Sequence, residues 1–198
     1  MIQYIVLLGA MAQLFGVAFY IKDMILGKTK PNRVTWLMWA IAPLIGAAAA
    51  FSNGVTWAVV PVFMAGFGPL LVLIFSFFSP KSYWKLEIFD YLCGFFSFFA
   101  LALWVITKDP VIAIVFAILS DGVAAVPTLI KSWNHPETES GILYLISFLG
   151  IFTGFLAVKS WVFSEYGFLV YLVIVNTLIV FAIFRFKILE KLNFKQFS

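Results

Sequence analysis

Long apolar stretches alternate with short polar breaks along the whole chain. Seven stretches come close to the roughly 20 residues that an α-helix needs to cross a bilayer, and they cover residues 2–22, 34–52, 55–79, 88–107, 110–131, 141–159 and 166–184. The breaks are only a few residues long at 52–54 (SNG) and at 108–110 (KDP), and short connections favour antiparallel neighbours. The pattern therefore predicts an all-α transmembrane fold with seven helices.

The composition agrees with this pattern. Of the 198 residues, 64% are hydrophobic and 11% are charged, far from the roughly half apolar and one quarter charged residues of soluble domains. The N-terminal stretch lacks the basic leader of a secretory signal, so we predict that it is the first span. The sequence has one cysteine, Cys93, and one histidine, His135, which excludes an internal disulfide and a metal site built from several histidines. We expect an integral membrane protein without a cofactor or a metal ion.

The basic residues indicate the orientation of the chain. Eleven of the thirteen lie on the side that holds the first, third and fifth loops and the C-terminus: Lys22, Lys28, Lys30, Arg33, Lys81, Lys85, Lys131, Arg185, Lys187, Lys191 and Lys195. Only Lys108 and Lys159 lie on the other side. The positive-inside rule therefore predicts a plasma or inner membrane protein with its N-terminus outside and its C-terminus in the cytoplasm. Orientation and attraction to anionic membrane lipid explain the net charge of +4, so no nucleic-acid partner is expected.

The loops after the first and fifth spans share a pattern. Each has a basic or imidazole residue, a proline and then a hydroxyl residue: Lys30, Pro31 and Thr35 in one, and His135, Pro136 and Ser140 in the other. Such loops also arise without common ancestry, but both lie on the same predicted side of the membrane. We predict two parallel three-helix repeats joined by a linker helix, a 3+1+3 arrangement. Its parts are residues 1–79, residues 80–109, and residues 110–198 with a short basic cytoplasmic tail.

In span count, orientation and the segment VPTLIKSWNHPETESGILYL, the chain resembles the SWEET, SemiSWEET and PQ-loop transporter superfamily over essentially its whole length. The Pro-Gln pair of that family is replaced here by Pro127-Thr128. Pro43 and Pro127 fit the family's helix prolines in the second and fifth spans, whereas the first and sixth spans have none. The resemblance implies that Asn176 lines a substrate site, because the family often has an asparagine in the last helix of a repeat.

A weaker resemblance is to the nicotinamide-riboside transporters, which share the three-one-three build and carry closely spaced tryptophans. Here Trp36 and Trp39 form a W-x-x-W at the start of the second span. The resemblance makes these tryptophans candidate substrate-binding residues. The alternative interpretation is an aromatic belt at the membrane interface.

Three polar residues are predicted to lie near the middle of the bilayer. Asp121 is ten residues from Lys131, which at 1.5 Å per residue puts it about 15 Å from that end of its helix. An ionised carboxylate at this depth costs at least about 2.5 kcal/mol, so it must face protein or water, be paired, or hold its proton. Asn176 and Gln13 reach a similar depth. We therefore predict a central substrate chamber with these three residues. Thr128, on the same helix face as Asp121, is predicted to line the same path, although its hydroxyl can equally bond to its own helix backbone.

The alternative for Asp121 is a structural role. In that case the carboxyl group is protonated and hydrogen-bonded to Asn176 or Ser120, which holds the helices together.

Two further features of the sequence concern packing and the fifth loop. The small-residue motif Gly150-Ile-Phe-Thr-Gly154 predicts close packing of the sixth span. His135, Glu137 and Glu139 cluster in one loop, where a solvated surface is the ordinary explanation.

The sequence carries no motif of an enzyme, since no pair of a nucleophile and a base and no phosphate-binding loop occurs within the spans. The function we predict is a facilitator or proton-coupled carrier for a small polar metabolite, such as a sugar or vitamin, that works by alternating access. Asp121 would exchange a proton or bind a cation during transport. The alternatives are a seven-helix sensor and an assembly or lipid-handling protein, and a homo-oligomer is compatible with each function.

Overall fold

A computed structural model describes residues 2–79, 84–107 and 109–196. Within these ranges the chain forms seven α-helices, one short 3₁₀ helix and no β-strand, which confirms the predicted all-α fold. The helices are α1 (Ile2–Ile25), α2 (Arg33–Ser52), α3 (Val59–Phe77), α4 (Ile88–Thr107), α5 (Pro110–Asn134), α6 (Gly141–Phe155) and α7 (Phe163–Gln196), and the 3₁₀ helix is Pro136–Thr138. Residues 80–83 and 108, which include Lys81 and Lys108 of the orientation argument and part of the predicted linker 80–109, lie outside the described residues.

Five of these helices are long and apolar enough to cross a membrane: Tyr4–Ile25, Arg33–Ser52, Val59–Phe77, Val111–Asn134 and Phe163–Arg185. The α6 helix is also apolar but has only 15 residues. Large apolar side chains are exposed around the bundle, for example Leu8 and Phe98, each 64% exposed. Hydrocarbon would cover such side chains in a bilayer, so the fold is compatible with a multi-pass membrane protein.

Local chemistry sets several helix ends. The Asn32 side chain accepts hydrogen bonds from the backbone N–H groups of Val34 and Thr35 and so caps the start of α2. Asp109 caps α5 in the same way, and Pro110 is the first residue of that helix. The α7 helix continues through residues 185–196, so the backbone of the predicted basic tail is helical.

The helices pack in a closed bundle with α2 near its centre. The α2 helix packs against α3, α5 and, less extensively, α4, and α3 packs also against α1. On the other side of the bundle, α7 packs against both α5 and α6, and α1 packs against α6. The α4 helix lies against α5 and α2, so it borders the bundle instead of entering its centre.

Small residues allow the helices to approach closely. A Cβ atom on Gly66 would lie 3.0 Å from the Ala40 carbonyl oxygen, so α3 lies directly on the backbone of α2. Gly150, in the predicted close-packing motif of α6, lies against the Gln13 side chain of α1, and Gly154 of the same motif lies against α7. Gly154 lies also against Pro61 of α3, so the motif packs α6 against three neighbours.

Candidate functional site

A cavity of about 70 Å³ lies at the centre of the bundle, between α1, α2, α3, α5, α6 and α7. Five of the six residues predicted from the sequence to bind substrate line this cavity: Gln13, Trp36, Trp39, Asp121 and Asn176. These residues belong to four different helices and are up to 163 positions apart in the chain. Residues that were predicted to lie at a similar level thus line the wall of one cavity.

Thr128 is the sixth predicted residue, and it does not line the cavity. Its side chain is fully buried, and it lies seven residues beyond Asp121 on α5, which corresponds to about 10 Å along the helix axis. Asp121 and Thr128 share one face of α5, but the cavity ends before it reaches Thr128.

The Asp121 carboxylate is 2% exposed and has one hydrogen-bond donor. The Tyr171 hydroxyl of α7 donates to Asp121 Oδ2 over 2.6 Å, whereas Oδ1 is buried without a hydrogen-bond partner. The backbone carbonyl of Asp121 accepts a hydrogen bond of 3.3 Å from Trp39 Nε1. One carboxylate oxygen therefore remains available for a ligand in the cavity.

The partner of Asp121 differs from the partners considered in the structural interpretation of the sequence. Asn176 does not pair with the carboxylate; its Nδ2 donates to the Leu172 carbonyl of its own helix over 2.8 Å. This local bond turns the amide toward its own backbone, and Tyr171, five residues earlier on α7, reaches Asp121 instead. The sequence feature that could have identified Tyr171 is its phenol group, which lies within a predicted membrane helix and near Asn176.

The tryptophan pair lies inside the bundle. Trp36 is 2% exposed and Trp39 is 7% exposed, so the aromatic-belt interpretation does not describe them. Their ring centroids are 5.5 Å apart, and Tyr20 and Tyr144 extend the row at 4.8 Å from Trp36 and 6.3 Å from Trp39, respectively. The four rings form one aromatic cluster beside Asp121.

Gln13 contributes an amide to the cavity from α1. Its side chain is 4% exposed and packs on Gly150, where no side chain occupies the space. Its Oε1 is buried without a hydrogen-bond partner. Ser147 adds a hydroxyl from α6 to the same cavity. Neither Ser147 nor Tyr144 was among the predicted site residues, although both lie on one face of α6, three residues apart.

A second polar cluster lies at the end of the bundle that holds the first loop (residues 26–32) and the fifth loop (residues 135–140). Lys131 and Glu139 form an ion pair there with both side chains buried, and Lys131 Nζ also donates to the Lys30 carbonyl over 2.5 Å. The hydroxyls of Tyr20 and Tyr144 each donate to Glu139 Oε2 over 3.2 Å. We call Lys131, Glu139, Tyr20 and Tyr144 the Lys131–Glu139 cluster.

The interpretation of the fifth loop as a solvated surface was wrong for Glu139. His135 and Glu137 are exposed, as expected, with side chains 55% and 70% accessible, but Glu139 is buried. Burial of this carboxylate is tolerated because Lys131 neutralises it and two hydroxyls donate to it. Little in the sequence indicates this pairing, since the partners lie eight residues apart across a turn.

The two clusters adjoin each other. Tyr144 both lines the cavity and donates to Glu139, and Tyr20 stacks near Trp36 of the cavity wall. Among the described residues, no group of three or more His, Cys, Asp or Glu side chains is arranged to hold a metal ion. The arrangement can bind a small molecule by hydrogen bonds, by aromatic contacts and by the charge of one carboxylate.

Comparison with known proteins gave no match: neither a family model nor a curated protein nor a solved structure is significantly similar to this chain. The resemblance to the SWEET and PQ-loop transporters therefore stays a prediction from the sequence.

Proposed function

We propose that this protein is a membrane carrier that moves a small polar metabolite by alternating access between two three-helix units. The observation that carries the proposal is the central cavity, which is lined from both predicted units and contains a buried carboxylate with an unpartnered oxygen. Carriers commonly place their binding site near the middle of the membrane, where two repeats meet. A purely structural assembly protein has no comparable need for a polar cavity at this depth.

The helix contacts support the 3+1+3 arrangement. If α1, α2 and α3 are exchanged with α5, α6 and α7, the principal contacts are preserved: α1–α3 becomes α5–α7, α2–α3 becomes α6–α7, and α2–α5 becomes α6–α1. Two units related by a twofold rotation have this property. In the proposed fold, residues 1–79 and 110–198 form the parallel units, and the α4 segment joins them.

The Lys131–Glu139 cluster fits the closed end of such a carrier. It ties Tyr20 of the first unit to Glu139 of the second, and the Lys30 backbone N–H of the first loop donates to the Thr138 carbonyl of the fifth loop over 3.0 Å. With the N-terminus outside, as the basic residues predict, this end faces the cytoplasm. In the proposed cycle these contacts separate when the cavity opens to the cytoplasm.

Asp121 is the group proposed to exchange a proton or to bind a cation during the cycle. A carboxylate in a dry membrane interior is stable when it is paired or protonated, and its occupancy can therefore change as the cavity opens to one side or the other. This couples the charge of the site to the position of the two units.

A cysteine-accessibility measurement tests alternating access without knowledge of the substrate. Ser147→Cys, in a Cys93→Ala background, places a thiol of similar size in the cavity wall. Trimethylammonioethyl methanethiosulfonate, which does not cross membranes, is applied to right-side-out and to inverted vesicles. We expect modification of the thiol at position 147 from both sides, because each open state exposes the cavity to one of them. Modification from one side alone would contradict the carrier function and favour a receptor-like pocket.

A further inference from the structure

The described wall of the cavity holds one acidic side chain and no basic one, so the cavity carries an unbalanced negative charge whenever Asp121 is ionised. Asp121 is the one carboxylate among its described lining residues, and none of those residues is lysine, arginine or histidine. Lys131 lies ten residues further along α5, about 15 Å away along the axis, and Glu139 neutralises it. An anionic ligand would therefore meet repulsion in this cavity, and a cation would be attracted.

Among the described residues of the wall, two acceptors and one donor, Trp36 Nε1, are left unpartnered. Asp121 Oδ1 and Gln13 Oε1 are both buried without a hydrogen-bond partner, and buried polar atoms are rarely left in this condition. Tyr171 already donates to Oδ2, so Oδ1 is the carboxylate oxygen that has no donor from the protein. A ligand with N–H donors has the chemistry that these two acceptor oxygens require.

The remaining walls are aromatic. Trp36, Trp39 and Tyr144 line the same cavity as Asp121, with successive ring centroids 5.5 and 6.3 Å apart. Aromatic faces attract cations through the ring quadrupole, and tryptophan does so most strongly. A carboxylate beside aromatic rings is thus suited to an ammonium group, and the volume of about 70 Å³ favours a compact one.

We propose that the cavity binds a small primary or secondary alkylammonium ion, with the ammonium group paired to Asp121 and its N–H groups donated to Asp121 Oδ1 and Gln13 Oε1. This inference rests on the proposed carrier function and names the substrate class of the same site. It replaces a neutral sugar by an organic cation as the transported species.

The Asp121 carboxylate can bind either a proton or the ammonium ion, but not both at once. In the empty cavity the carboxyl group holds a proton; when the ammonium ion enters, that proton leaves to the side toward which the cavity is open. The charge inside the cavity is then the same in both states. Of the side chains that surround the carboxyl group, Tyr171 of α7 and Tyr144 of α6 are titratable and uncharged, whereas α1 and α2 present Gln13 and the tryptophans. The described residues of α4 contribute nothing to the wall.

Protection of the thiol at position 147 from modification tests the inference. Ethylammonium, ethanol, tetramethylammonium and propionate are compared at equal concentration with the Ser147→Cys variant in the Cys93→Ala background, and the modifying reagent is applied from whichever side reacts. We expect ethylammonium to slow modification. Ethanol lacks the charge and tetramethylammonium lacks the N–H donors, so we expect at least about tenfold weaker protection by each of them. Propionate should give no protection.

Asp121→Asn keeps the side-chain size and removes the charge, so it should abolish the protection by ethylammonium. The matched control is Asp90→Asn, which neutralises another buried aspartate; Asp90 pairs with Asn32 outside the cavity, and protection should persist. Monodisperse elution in detergent identifies variants that remain folded, and Gln13→Leu provides a second variant, in which protection should weaken.

Equal protection by ethanol, or undiminished protection in folded Asp121→Asn protein, would overturn the ammonium assignment. Absence of protection by ethylammonium in the parent protein would also overturn it. None of these three results would affect the carrier function, because that function is judged by modification from both sides of the membrane in the absence of any ligand.

Discussion

Tyr171 donates a hydrogen bond of 2.6 Å to Asp121 Oδ2 and so connects α7 to the middle of α5. The two residues are 50 positions apart, and each comes from an apolar helix with few other polar groups at that depth. The bond leaves the second carboxylate oxygen of this cavity-lining residue without a partner. One interaction therefore holds Asp121 in position and leaves Oδ1 as the oxygen proposed to pair with the ligand.

We expect Tyr171→Phe to reduce the free energy of unfolding by about 1–2 kcal/mol, because it leaves Asp121 Oδ2 buried without a donor. Reversible unfolding of the purified protein in mixed micelles, by titration with dodecyl sulfate, measures this change. Tyr166→Phe is the matched control, since Tyr166 lies on the same helix and its ring contacts Trp161 and Phe163. A loss in Tyr166→Phe as large as in Tyr171→Phe would show that the Asp121 bond is not the cause.

The buried pair of Lys131 and Glu139 gives a prediction about charge compensation. Lys131→Met should reduce the free energy of unfolding by about 3 kcal/mol or more, because it leaves the Glu139 carboxylate buried without a counter-ion. Replacing both residues, in Lys131→Met with Glu139→Leu, should cost less than the single change, since no charge is then stranded. The same unfolding titration compares the two variants.

Glu137→Gln provides the control for this pair. Glu137 belongs to the same loop, but its ion pair with His135 is exposed, at 3.7 Å, and exposed pairs contribute about 0–1 kcal/mol. Its removal should change the stability little. If the double variant proves less stable than Lys131→Met alone, the stranded-charge explanation is wrong.

Cysteines at Asn53 and His135 test the predicted orientation. Asn53 follows α2 and His135 follows α5, so with the N-terminus outside the first is external and the second is cytoplasmic. Both positions are exposed. In a Cys93→Ala background, an impermeant maleimide added to right-side-out vesicles should label a cysteine at position 53 and spare one at position 135. Inverted vesicles should give the opposite result, and external labelling of both would refute the topology.

The helices, and the level of the polar residues along them, could be predicted from the sequence. A span of about 20 apolar residues is required by the thickness of the bilayer, and the constant rise along a helix gives the level of each residue within it. For this reason Gln13, Asp121 and Asn176 were predicted at one level, and they line one cavity. The number of α-helices within the described residues also agrees with the prediction.

The contacts at a given depth could not be predicted in this way. Tyr171 instead of Asn176 pairs with Asp121, Trp36 and Trp39 are buried, and Thr128 lies outside the cavity. These outcomes depend on how each helix is rotated about its axis and on which helices become neighbours. Rotation is set by the sum of many packing contacts across the bundle, and a single sequence does not record that sum residue by residue.

Glu139 illustrates the same limit in a loop. From the sequence it is an acidic residue beside His135 and Glu137, with nothing to separate it from its exposed neighbours. Its burial depends on Lys131, Tyr20 and Tyr144 arriving from three helices at one point. The sequence by itself determined which segments form apolar helices and at what level along them their polar groups lie, because hydrophobicity and helical rise are local properties. Only the tertiary structure decided which groups meet, because a buried charge is stable only where its partners converge in three dimensions.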